Sequence, residues 1–87
     1  MANFKKGETV FIREDLVAGI KLVNLIVGGK LSDCFGEVVE VNPTTEEIKK
    51  YKEINPLTDG NNKVIYFDKK AERHFIMPTE ALVVGEQ

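Results

Sequence analysis

At 87 residues and 9.8 kDa the chain is one domain, in which roughly 64% of the unfolded surface can be buried. Leu, Ile, Val and Phe make up 28 of the 87 residues, above the share of about one fifth below which chains stay disordered. A net charge of -2, spread evenly over both halves, lacks the basic excess of nucleic-acid binders, and one Cys with one His excludes both an internal disulfide and a four-ligand zinc site.

Gly7 marks an entry turn, and residues 8–13 then alternate, with Val10 and Ile12 on the core face and Thr9, Phe11 and Arg13 on the other. Residues 14–31 carry Gly19, Gly28 and Gly29, which argue against a continuous helix, and Leu22, Val23, Leu25, Ile26 and Val27, which demand burial. The reading is a long, partly extended excursion. Residues 34–42 form the second strand, and a bulge near Val38 and Val39 is expected because Glu37 and Glu40 cannot both face water in strict alternation. Thr44 with Glu47 three positions on predicts a capped helix over 44–54, with Ile48, Tyr51 and Ile54 on one face, Glu46 paired with Lys50, and a stop before Pro56. Residues 59–62 are turn chemistry, 63–68 and 74–77 a hairpin, 78–82 a helical turn and 83–84 a closing strand. Short strands with one inserted helix predict a mainly β fold, a small antiparallel barrel spanning residues 1–87.

The run Phe4, Gly7, Val10, Ile12, Arg13, Asp15, Leu16, followed by Phe35, Gly36, Glu37, Val38, Val39, Val41 and later Pro78, Glu80, Leu82, resembles the small SH3-like barrels of phages and prophages. That group is often likened to the SH3-type repeat of mind-bomb proteins. The resemblance implies an SH3-like antiparallel barrel with no catalytic residues. Two features depart from the group: Leu22, Val23 and Asn24 replace its Tyr-Gly-Gly, and the 44–54 helix is longer than its usual connection.

The chemistry of the chain is sparse. Gly29, Lys30, Leu31 and Ser32 resemble the end of a phosphate loop, but Asn24 stands where its first Gly belongs and Leu31 where Ser or Thr follows the lysine. Cys34 and His74 could pair as thiolate and base, yet a lone Cys beside Phe35 reads as a small core residue. No catalytic residue, metal ligand, cofactor or small-molecule substrate is implied. The expected function is a non-enzymatic binding module that docks a protein partner, or itself as a homodimer, through Phe11 and Tyr66 with Leu22, Leu25 and Ile26 contributing. The alternative is a nucleic-acid module in which Lys69, Lys70 and Arg73 hold the backbone and Tyr66 stacks a base. The start lacks the apolar core of a signal peptide, and residues 16–29 are too short to span a membrane, so the expected location is the cytoplasm, or the host cytoplasm if the chain is phage-encoded.

Overall fold

Period-two alternation has the expected outcome in β1 (Thr9–Ile12), where Val10 and Ile12 are buried and Phe11 is exposed. The computed structural model describes residues 4–16, 26–27, 30–31 and 35–85. Within the 14–31 excursion, residues 14–16 are helical, and β2 (Ile26–Val27) pairs antiparallel with β3 (Lys30–Leu31). Leu22 and Leu25 lie outside the described residues.

The remaining strands are β4 (Phe35–Val41), β5 (Lys63–Asp68), β6 (Arg73–Pro78) and β7 (Leu82–Val84), with a 3-10 turn at Thr79–Ala81 between the last two. They form one antiparallel sheet with β1, in the order β6-β5-β4-β1-β7. The fold is therefore mainly β. Among the described residues the sheet stays open between β6 and β7, so an unclosed sheet stands where a closed barrel was expected. Its inner face still curls onto one cluster, since Val10, Ile12, Val38, Val64, Tyr66 and Leu82 pack together with Phe4 as a plug.

β4 shifts register between Val38 and Glu40, the expected bulge. The extra residue places Glu37 opposite Phe67 and Glu40 opposite Ile65, so both glutamates share the outer face of the sheet. That face carries a second cluster in which Ile48 and Ile54 cover Ile65, with Val39, Tyr51 and Ile76 around them.

The cover is a shorter helix than expected. α1 (Thr45–Lys49) begins at the expected capping box, where the Thr44 hydroxyl accepts from the Glu47 N–H and the Glu47 carboxylate accepts from the Thr44 N–H. That bond to the Thr44 backbone holds the Glu47 carboxyl below its usual range. The helix ends at Lys50, and the chain continues through N–H to C=O bonds three residues apart, Tyr51 to Ile48 and Ile54 to Tyr51. Ile48, Tyr51 and Ile54 recur every three residues, a period that suits such tight turns better than the 3.6 of an α-helix. Within the helix Glu46 pairs with Lys49, three positions on, rather than with the expected Lys50.

Asp68 is fully buried at the end of β5, where its Oδ1 accepts the N–H groups of Lys70 and Ala71, both at 3.0 Å, and so closes the β5–β6 turn. Gly36 lies where β4 crosses β5, and a Cβ there would overlap the Phe67 carbonyl oxygen. Gly36→Ala is expected to lower unfolding free energy by about 1 to 3 kcal/mol through overpacking. Ile65→Ala is expected to lower it by about 2 to 5 kcal/mol, because both its cover and its sheet face lose contacts. Urea denaturation followed by circular dichroism measures both; a neutral Ile65→Ala would mean that the outer cluster is not a core.

Candidate functional site

The outer face of the sheet divides into a covered part over β4, β5 and β6 and an open part over β4, β1 and β7. Register sets the open part: Phe11 lies opposite Phe35 on one side and Val83 on the other. The two rings stack with centroids 5.0 Å apart and planes at 26°. All three side chains are exposed, at 38% for Phe11, 37% for Phe35 and 47% for Val83. Gly85 sits under the edge of the Phe11 ring, which a Cβ at that position would displace. Leu16, also exposed, lies beyond the end of β1, while Val84, opposite Val10, is exposed on the other face of β7. Polar groups rim the row, where the Arg13 guanidinium meets both Asp15 carboxylate oxygens and donates to the Glu80 carbonyl at 3.1 Å. Apart from Leu57, every exposed large hydrophobic among the described residues belongs to this end of the sheet. A row of stacked aromatic and aliphatic side chains with a polar rim has the make-up of a docking surface.

The covered part carries the titratable cluster. The Glu53 Oε2 accepts from the His74 backbone N–H at 2.8 Å and lies 3.1 Å from its Nδ1. An ionised carboxylate only accepts, so Nδ1 carries the proton in this pair. His74 is held between the rings of Tyr51 and Phe67, at 4.5 and 4.9 Å. The Tyr51 hydroxyl donates to Glu40 at 3.3 Å, and Glu40 pairs with Lys6 at 3.4 Å. β6 is an edge strand, so the Glu53 carboxylate stands where a neighbouring strand's carbonyl would accept the His74 N–H. Burial raises the Tyr51 hydroxyl above its ordinary value, and the Glu40 charge adds to this. For Glu53, burial pushes the carboxyl up, but the bonds from the His74 backbone and ring outweigh it and leave the group below its usual range.

The expected site residues are dispersed. Phe11 is exposed as expected. Tyr66 is not: it is 1% exposed, packed at 5.8 Å on Phe75 inside the inner cluster, and is neither a docking anchor nor a platform for a base. Its neighbours Val64 and Ile65 are fully buried too, because β5 is covered on both faces. Lys69 and Lys70 are exposed at the β5–β6 turn, whereas Arg73 is half-buried with its Nε lacking an acceptor among the described residues. Ile26 lies on the small β2–β3 pair, and Cys34, read as a small core residue, is outside the described residues. Phe35 and Val83 escaped the sequence reading because only cross-strand register brings them beside Phe11.

A cavity of about 780 Å³ opens where the 3-10 turn leads from β6 to β7, with Phe4, Val41 and Leu82 among its apolar walls. Among the described residues no three His, Cys, Asp or Glu side chains are placed to hold a metal ion, and no helix is long and apolar enough to cross a membrane. Comparison with known proteins gave no match to a protein-family model, to a curated protein or to a solved structure.

The lowered Glu53 carboxyl fixes a pH dependence. Its contribution is present above the unfolded value of 4.5 and is lost as pH falls through the lower folded value. Melting temperature recorded from pH 7 to pH 3 is expected to fall more shallowly in Glu53→Gln than in wild type. Parallel curves would show that Glu53 does not stabilise the fold as a carboxylate.

Proposed function

We propose that this chain is a small, non-enzymatic protein-binding module of SH3-like type, working in the cytoplasm and docking a protein partner or a second copy of itself. The observation that carries this reading is the exposed Phe35, Phe11 and Val83 row, an uninterrupted apolar stripe across three strands. Aromatic side chains give large contact area at low entropic cost, and a pre-stacked pair such as Phe11 and Phe35 is ordered before a partner arrives. The nucleic-acid alternative is weakened by the burial of Tyr66 and by the acidic net charge, which offers no long-range attraction to phosphate.

Photo-crosslinking tests the row. A benzophenone side chain at position 11 is expected to give a discrete protein adduct that the same group at Leu57, which is 90% exposed and distant in sequence from the row, does not give. Sedimentation of the purified chain over a concentration series then separates the two occupants: an adduct of twice the chain mass accompanies self-association that Phe11→Asp abolishes. Equal crosslinking from both positions would contradict the assignment of the row. A labelled oligonucleotide bound below about 1 μM at physiological salt, and released by Lys69→Ala with Lys70→Ala, would favour the alternative.

A further inference from the structure

The five-stranded sheet has two edges, β6 and β7, and only one of them is guarded. Antiparallel pairing alternates, so every second residue of an edge strand turns its N–H and C=O away from the sheet. On β6 these are His74, Ile76 and Pro78, because the Thr79 N–H turns inward to the Asn62 carbonyl at 2.9 Å. The Glu53 carboxylate takes the His74 N–H and Pro78 has none to offer, so Ile76 alone keeps an outward donor. A carboxylate over the edge and a proline within it both discourage a further strand.

β7 carries neither device. The Gly85 N–H donates to the Thr9 carbonyl at 2.7 Å and the Arg13 N–H to the Ala81 carbonyl at 3.0 Å, so residues 81, 83 and 85 face β1 while Leu82 and Val84 face outward. The Leu82 N–H is used by the Thr79 carbonyl. Three outward groups then lack a partner among the described residues: the Leu82 carbonyl and the N–H and carbonyl of Val84. The strand reads Leu-Val-Val, with no charge and no proline, and Val83 and Val84 are exposed on its opposite faces.

These groups complement themselves. When two copies of β7 run antiparallel about a two-fold axis at Val83, Leu82 lies opposite Val84 of the other copy. The Val84 N–H of each copy then meets the Leu82 carbonyl of the other. On the outer face Val83 lies against Val83 of the second copy, and the Phe35, Phe11 and Val83 row runs on into its own image. The residues so paired are all apolar, and no like charges oppose each other among them. A strand of another protein would need an apolar residue at each of these three positions, which a second copy supplies by symmetry.

We propose, resting on the reading of the Phe11 row as a docking surface, that what docks beside it is a second copy of this chain, joined edge to edge through β7. Two hydrogen bonds and a short apolar seam fall below the roughly 1,200 Å² of stable complexes, so the dimer is weak and forms at high concentration.

Sedimentation equilibrium from about 10 μM to about 1 mM measures the association, and a mixture of ¹³C-labelled and unlabelled chain reports the contact. The expected results are a dimer at the upper end and a nuclear Overhauser cross-peak between the Val83 α-protons of the two copies. Val84→Pro removes the outward donor without taking a bond from the β1 ladder, and is expected to weaken association about tenfold while the amide spectrum of β1, β4 and β5 is kept. Synthetic chain N-methylated at Val84, which keeps the native side chain, is expected to behave alike. A monomer at every concentration would overturn the proposal, as would a dimer that lacks the Val83 cross-peak or that both variants leave unchanged. A monomer whose position 11 crosslinks to another protein would overturn the edge pairing and leave the row as a docking surface. A dimer with the Val83 cross-peak whose position 11 gives no discrete adduct would support the edge pairing and overturn the row.

Discussion

Burial of β5 on both faces is the constraint on which the rest of the structure depends. Val64 and Tyr66 point into the curled sheet and Ile65 points out of it, and all three are almost wholly removed from solvent. A single curled sheet can bury one face only. Ile65 therefore requires a separate cover, which α1 and the tight turns up to Ile54 provide. The cover needs an anchor at its far end, and Glu53 supplies it by accepting the His74 N–H on the edge strand β6. Each buried aliphatic in this second layer contributes about 1.5 to 3 kcal/mol, enough to decide the stability of so short a chain.

The same arrangement determines what remains open. The cover extends over β4, β5 and β6, so the apolar outer residues of β1 and β7 face solvent. Carboxylates are used for structure on the covered side: Glu47 caps a helix, Glu40 receives the Tyr51 hydroxyl and Glu53 blocks an edge. Charge is sparse on the open side, where Arg13 and Asp15 satisfy each other at the rim. The exposed apolar row thus follows from how the core is divided.

Much of this was legible in the residues. Alternation located β1, the spacing of Glu37 and Glu40 located the bulge, and Thr44 with Glu47 located the cap. The end of the helix was misread because Ile48, Tyr51 and Ile54 satisfy both a helical face and a series of three-residue turns. Tyr66 was misread for a different reason. Val64, Ile65 and Tyr66 form a continuous apolar run, the mark of a strand buried on both faces, but an aromatic in a basic hairpin drew attention to its ring instead. Cross-strand neighbours such as Phe35 and Val83, and the side chains that gather around the cavity, depend on register between distant segments, which local periodicity does not encode.

The division between a covered and an open outer face is tested most directly by solvent paramagnetic relaxation, measured on the dilute protein with a soluble gadolinium chelate. Side-chain signals of Phe11, Phe35 and Val83 should relax strongly, while those of Ile48, Ile65 and Tyr66 should be nearly unaffected. Strong relaxation at Ile65, or protection of Phe11 and Phe35 in the monomer, would contradict a fold in which the helical cover lies over β5 and leaves the β1 row open to solvent.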